Sequence, residues 1–362
     1  MKLSKPQFVG ECRRVKLNEI CSKGKSSLRQ KDVFNDGPYS VYGASGIVGT
    51  TDDYQNEVPY VAVVKDGAGV GRASACEPMT SVLGTMQALI PNSNVERDYL
   101  LHLVRSLRLG EGFSGSTIPH IYFKDYGRLE VPLPPLEVQK QIVSQLGLVE
   151  AQIMQAEVQI EQLDSLVKSR FVEMFGDPVT AEAECELLAI GNFADVQTGA
   201  TPLRRESKYY GGSIPWVKTG EVARKFANGV EENITEVAIK ETNCKVFPAG
   251  TVLVAMYGQG DTRGKAAILP FEAATNQACA AIMPSLAHNE VFLNAQLQLL
   301  YEDMRAKSLG GNQKNLSLGI VKSMKVILPP MEAQQEFAAF VAQVDKSRFA
   351  WRAHMQLRVL AL

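Results

Sequence analysis

Asp195, Glu206 and Lys208 are the residues whose types and spacing come nearest to a catalytic set. Two carboxylates and a lysine at such intervals can hold a divalent metal ion beside a scissile phosphate, so a stand-alone metal-dependent DNA nuclease is one reading. Between them, however, TGATP at 198–202 breaks the stretch where a strand pair would be needed to bring the three together. Other chemical patterns fail sooner. KGKSS at 23–27 looks like the end of a phosphate-binding P-loop, but Glu19 stands where the first glycine belongs. GASGIVG and DGAGVG lack the strand and helix of a dinucleotide fingerprint and read as tight turns. There is no GxSxG, no HExxH and no Asn-Pro-Pro-aromatic tetrapeptide of the amino-methyltransferase kind. The histidines (His102, His120, His288, His354) and cysteines (Cys12, Cys21, Cys76, Cys185, Cys244, Cys279) have neither CxxC nor metal-ligand spacing. No metal site and no disulfide framework is expected, and reduced cytosolic thiols fit.

Recognition is the other chemistry on offer. The first half of the chain carries Lys23, Lys25, Arg29, Tyr39, Tyr42, Ser45, Lys65 and Arg72 in predicted loops, then Ser116, Thr117 and His120. The second half carries Thr198, Thr201, Arg204, Arg205, Lys218, Tyr257, Gln259, Arg263 and Lys265, then Asn312, Gln313, Lys314 and Asn315. Arg and Lys suit guanine edges and phosphates, and Asn and Gln suit adenine edges. Any one of them reads equally as a solvated loop residue; the grouping is what points to nucleic acid. Net charge is −1, but it is segregated: residues 1–31 hold nine Lys or Arg against Glu11 and Glu19, while 134–177 hold three bases against seven acids.

The elements that must position these groups come in two copies. RLEVPLPPLEVQKQI (128–142) and SMKVILPPMEAQQEF (323–337) each show a short apolar strand, Leu-Pro-Pro, then a helical run with Glu and Gln, 195 residues apart. The same offset, without a gap, lays GSTIPHI (115–121) on GGNQKNL (310–316). Self-similarity at one fixed offset marks a duplicated structural unit. Pro135 and Pro330 suit the first turn of the helices that follow.

After Pro135, apolar residues fall at Ile142, Leu146, Val149, Ile153, Ala156, Ile160, Leu163, Val167 and Met174, with Arg170 or Phe171 filling the one imperfect step. Alternation of four and three is the seam of a coiled coil. The same offset yields Phe337, Val341, Val344, Arg348, Trp351, Met355, Arg358 and Leu362. The first helix would be about 40 residues and roughly 60 Å long, the second about 32 residues and roughly 48 Å. Neither seam is satisfied unless buried, so we expect the helices to pair, and to run antiparallel if the halves are related by a pseudo-two-fold axis. Before each helix, short apolar runs such as VPYVAVV (58–64) and GTVLVAMYG (250–258), with one late helical stretch each (96–107 and 289–306), predict an α+β or mixed α/β unit rich in loops.

This pattern resembles the specificity (S) subunit of type I restriction–modification systems. The resemblance is carried by GSTIPHIYFKDYGRLEVPLPPLEVQKQIV (115–143), GGNQKNLSLGIVKSMKVILPPMEAQQEF (310–337), VYGASGIVG (41–49) and VQTGATP (196–202), and spans nearly the whole layout. It implies target recognition domains at 1–133 and 178–328, and two spacer helices, at 134–177 and 329–362, in an antiparallel coiled coil. Each domain would read one half of a bipartite double-stranded DNA site. It implies two methylation subunits that bring S-adenosylmethionine, and leaves room for restriction subunits that bring ATP and Mg²⁺ for translocation and cleavage. None of that chemistry would reside in this chain, which needs no cofactor of its own. GGNQKNL departs from the family motif, so contacts at 310–316 are less securely carried over than those at 115–121.

The nuclease reading and a coiled-coil adaptor that never touches DNA remain the alternatives. The first residues, MKLSKPQF, lack the apolar run of a signal peptide, and no apolar run reaches 18 residues, so a cytoplasmic protein without a membrane partner is expected.

Overall fold

The structure, a computed structural model, describes residues 12–67, 69–111, 119–180, 187–226, 229–258, 260–308 and 315–359; from 352 onward it describes backbone alone. The chain divides into two units at Ile153/Met154, inside one long helix. Unit 1 runs β1 (Arg13–Lys16), α1 (Leu17–Ile20), β2 (Cys21–Lys23), β3 (Tyr39–Gly43), β4 (Gly46–Thr51), β5 (Tyr60–Val64), β6 (Ala73–Cys76), β7 (Ser81–Val82), β8 (Met86–Pro91), α2 (Arg97–Ser106), α3 (Phe123–Tyr126), β9 (Glu130–Leu133) and the start of α4 (Leu136–Phe175). Unit 2 continues α4 through β10 (Leu187–Ala189), β11 (Val196–Thr198), β12 (Tyr210–Val217), α5 (Thr219–Ala223), β13 (Asn233–Ile234), α6 (Glu236–Glu241), β14 (Val246–Phe247), β15 (Val252–Ala255), β16 (Ala266–Ile268), β17 (Ala273–Thr275), β18 (Cys279–Ile282), α7 (Glu290–Leu299), α8 (Tyr301–Ala306), α9 (Leu318–Ser323), β19 (Lys325–Ile327) and α10 (Met331–Val359).

The duplication expected from the sequence is a duplication of topology. Unit 1 has a four-stranded sheet β2-β8-β5-β6, a three-stranded sheet β4-β3-β7 and a ribbon β1-β9. Unit 2 answers with β11-β18-β15-β16, β13-β12-β17-β14 and the ribbon β10-β19. Pairing is antiparallel except for β3 with β7 and β12 with β17, so each unit is mixed. The apolar runs are the central strands. In β5, alternate side chains face opposite ways: Val61 and Val63 join the cluster with Leu100 and Val104 of α2, while Tyr60, Ala62 and Val64 pack with Val82 of the second sheet. In β15, Val252 and Val254 meet Leu293 and Leu297 of α7, and Leu253 and Ala255 face Val217 and Phe247. A strand covered on both faces has no polar positions, which is why both runs read as continuous hydrophobics.

α4 is 40 residues long and α10 is 29. Each begins one residue after its proline pair. Pro135 is the cap: its carbonyl accepts from Val138 N at 2.9 Å and Gln139 N at 3.0 Å, and Pro330 does the same for Ala333 and Gln334. Along α4 the seam residues Ile142, Leu146, Val149, Ile153, Ala156, Ile160, Leu163 and Val167 are all partly or fully buried. At the imperfect step Phe171, not Arg170, enters the core: it is wholly buried with Phe175, Phe292 and Phe337. Its ring lies 5.2 Å from Phe292 and 5.4 Å from Phe337. Within unit 2 the helices run antiparallel, since Arg170 reaches Glu336 at 3.4 Å while Arg348 reaches Asp164 at 2.5 Å. Phe337, Val341 and Val344 are buried and Trp351 is half-buried; the side chains of Met355, Arg358 and Leu362 lie outside the described residues. Arg348, which the heptad places in the seam, is accommodated by Asp164 and Asp345. On the opposite side of α4, Met154, Val158, Leu166 and Val172 are exposed, and helical periodicity puts them on one stripe.

Candidate nucleic-acid interface

Equivalent loops gather the candidate residues in both units. In unit 1 the β5–β6 hairpin, residues 65–72, carries Lys65, Asp66 and Arg72. The 119–121 stretch lies along it: Ile121 N donates to Lys65 O at 3.0 Å, Gly67 N to Pro119 O at 3.1 Å, and His120 Nδ1 stands 2.6 Å from Asp66 Oδ1. The His120 ring also stacks near Tyr122. Lys65, Arg72 and His120 therefore share one place. In unit 2 the β15–β16 hairpin carries Tyr257, Arg263 and Lys265, and Leu316 N donates to Met256 O at 3.0 Å, repeating the docking of Ile121. Asn315 is thereby brought beside that loop. Two residues absent from the sequence reading hold it: Tyr301 donates to Asp261 O at 2.6 Å and Arg305 to Arg263 O at 3.0 Å. Lys265 lies 4.6 Å over the Tyr301 ring. Tyr301 and Arg305 are one turn apart on α8, a spacing that carries no motif. Ser116, Thr117, Gln259, Asn312, Gln313 and Lys314 lie outside the described residues.

The other candidates are placed differently. Lys23 ends β2 and Lys25 lies two residues on, both exposed, and Lys25 N is fixed by Asn56 Oδ1 at 2.9 Å. Arg29 is engaged with Asp32 at 3.2 Å, and its backbone N–H, then its side chain, hold that carboxyl below the usual range. Tyr42 and Ser45 sit on the β3–β4 hairpin, whose turn uses Gly46 at φ +106°.

In unit 2 the TGATP loop is tied down: Trp216 Nε1 donates to Ala200 O at 3.1 Å, Tyr210 Oη to Pro202 O at 2.6 Å, and Thr201 to Gln277. Arg204 packs over the rings of Tyr210 and Trp216, at 4.8 and 4.9 Å, and pairs with Glu232. Lys218 bridges Glu231 and Glu232, each at 3.0 Å, and Arg224 adds to Glu231 at 2.9 Å. Arg204 and then Lys218 hold the Glu232 carboxyl below its ordinary value. Arg204 and Lys218, expected as DNA contacts, thus each hold a carboxylate partner within the fold. Arg205 is the most exposed cation among Arg204, Arg205 and Lys208, 3.9 Å from Glu206.

The nuclease set does not converge. Asp195 accepts from Gln197 at 2.5 Å, Lys208 donates to Glu241 at 2.5 Å, and Glu206 faces Arg205. Among the described residues no three His, Cys, Asp or Glu gather as metal ligands. Burial pushes the Cys21 and Cys76 thiols up to about 12, far from a reactive thiolate. No helix among the described residues is long and apolar enough to cross a membrane.

The family described as the type I restriction modification DNA specificity domain matches residues 11–163 and again 182–355. A similar curated protein is the type I restriction enzyme MjaIX specificity subunit of Methanocaldococcus jannaschii, 27% identical over 161 residues, or 43% of this chain and 37% of that protein. The EcoR124I/EcoR124II specificity subunit of Escherichia coli is 23% identical over 171 residues, 45% of this chain and 42% of that one. The chain thus spans about two fifths of the length of these curated relatives. Among solved structures, the S subunit of a type I restriction–modification system from M. genitalium aligns over 99% of this chain and 96% of that one, with a TM-score of 0.56 at 14% identity. A second, described as the structural basis of assembly and conformational transition of the type I R-M system, covers 98% and 95% with a TM-score of 0.58 at 16% identity. At such identities the likeness is one of fold. With two tandem matches over most of its length, on two units of one topology, the chain belongs to the type I restriction–modification DNA specificity domain family.

Proposed function

We propose that this chain is the DNA-recognition subunit of a type I restriction–modification complex and takes no catalytic step itself. Residues 1–133 and 178–328 act as two readers, each contacting one half of a bipartite site in duplex DNA. Residues 134–177 and 329–362 act as the spacer between them. The observation that carries this reading is the repetition itself: the same two sheets, the same loop closed by the same backbone hydrogen bond, and the same Leu-Pro-Pro hinge, in two copies. Lys65, Arg72 and His120 in one unit, and Arg263, Lys265 and Asn315 in the other, occupy equivalent loops and are the strongest contact candidates.

Two weak half-site interactions joined by a stiff spacer become one tight interaction when the spacing fits, because the second event is intramolecular. Methylation subunits are the expected partners, one per half-site, and the exposed apolar residues Met154, Val158, Leu166 and Val172 of α4 offer them contacts. S-adenosylmethionine belongs to those subunits, and ATP and Mg²⁺ to restriction subunits where present. The complex works in the cytoplasm, where the host DNA is. Methylome sequencing after exchanging residues 1–133 for another reader tests the assignment. One half of the modified motif should change; a change in both halves, or in neither, rejects the two-reader arrangement.

A further inference from the structure

We infer that Gln139 and Gln334 are positioning residues that set the spacing at which the two half-sites are read. The inference rests on the two-reader function proposed above. Both glutamines lie in the first turn of their helices, 195 residues apart, and both are fully buried. Each commits its whole side-chain amide to backbone. Gln139 Oε1 accepts from Glu96 N at 2.9 Å, and its Nε2 donates to Asn94 O at 3.0 Å and Pro134 O at 2.9 Å. Gln334 Oε1 accepts from Asn289 N at 2.8 Å, and its Nε2 donates to Ala287 O at 3.2 Å and Pro329 O at 2.8 Å. Glu96 and Asn289 are the caps of α2 and α7, the helices that pack on the central sheets. One amide therefore ties the reader's own helix, the proline hinge and the spacer helix into a single bracket, and it does so identically twice.

The bracket spans 43–47 residues of sequence on the reader side, so it is not local helix capping. It acts where leverage is greatest. At the end of a helix about 60 Å long, a tilt of about 3° at the first turn moves the tip sideways by about 3 Å, comparable to a base-pair rise. A hinge held by three directional hydrogen bonds can hold such an angle; apolar packing alone is non-directional. No other side chain makes the same set. Glutamate keeps the acceptor but has no donors, asparagine lacks the reach, and methionine fills the space but leaves all three backbone groups unpaired.

The assembled methylation complex is assayed on duplexes with both half-sites separated by the genomic spacer, or by one base pair more or fewer. The variants are Gln139→Met, Gln334→Met and the milder Gln139→Glu, with Met86→Ala as a core-weakening control, since Met86 is wholly buried in the cluster with Tyr60 and Val82, away from α2 and α4. Wild type should prefer its native spacer by roughly tenfold or more, and the bracket variants by no more than about threefold, with half-site sequences read as before. Met86→Ala should lower Tm yet keep the wild-type ratio. The inference is overturned if any assembled bracket variant keeps the wild-type ratio, or if Met86→Ala erodes it equally. Gln139→Glu supplies the reading if the methionine variants fail to assemble. A wild type indifferent to spacing removes the two-reader function itself, and the bracket with it, whereas unchanged discrimination in the variants removes only the bracket.

Discussion

Gly199 leaves no room for a side chain. A Cβ there would sit inside the van der Waals shell of the Thr275 carbonyl and hydroxyl oxygens, and the carbonyl belongs to backbone in the middle of unit 2. Gly199→Ala should destabilise the chain by about 2–3 kcal/mol, seen as a lower denaturant midpoint at unchanged m. His288 offers a pH test. It is buried beside Ser285 Oγ at 2.9 Å, and burial lowers its pKa from the ordinary 6.5, with Glu290 opposing weakly. The folded state therefore binds the proton less readily than the unfolded one. The stability this confers is complete above pH 6.5 and is lost as pH falls from there through the lowered folded value. Thermal melts should show Tm falling on acidification in the wild type and falling less in His288→Gln. What such residues do was only partly legible. Arg204 and Lys218 look like phosphate ligands in a loop, but Glu232, 28 and 14 residues away, claims both. A cation's partner across the fold is invisible to local composition.

At the scale of elements, periodicity was the most readable signal. The spacing of four and three picks out α4 positions that are all partly or fully buried, because helix geometry converts it directly into one face. It could not choose between Arg170 and Phe171, and the aromatic cluster with Phe175, Phe292 and Phe337 made the choice. Phe171→Ala should accordingly cost about 3–5 kcal/mol, measured by chemical denaturation, because three rings lose their shared neighbour. The strand runs were visible as well, yet their pairing was not: β3 with β7 and β12 with β17 are parallel, joined through long intervening segments whose course no local pattern encodes. The two hinge glutamines were visible as a repeated letter and nothing more. Their meaning lies in residues at the caps of α2 and α7, which follow a slightly different offset from the hinge itself.

For the whole molecule, electrostatics and valence decide affinity. A net charge of −1, with several cations already paired, leaves little attraction for a polyanion. The isolated chain should bind duplex DNA weakly, with affinity falling steeply as salt rises, and methylation subunits should tighten it. Nanomolar binding by the chain alone at physiological salt contradicts this, and salt-independent or absent binding with partners present favours an adaptor. Partner supply matters for another reason. Met154, Val158, Leu166 and Val172 form a row of uncovered apolar side chains on a long helix, and such rows favour self-association until something covers them. On the function proposed above, chain synthesised ahead of methylation subunits should be the fraction lost to precipitation or degradation. The dosage of the genes, and not only the strength of their products' contact, should then set how much complex a cell holds.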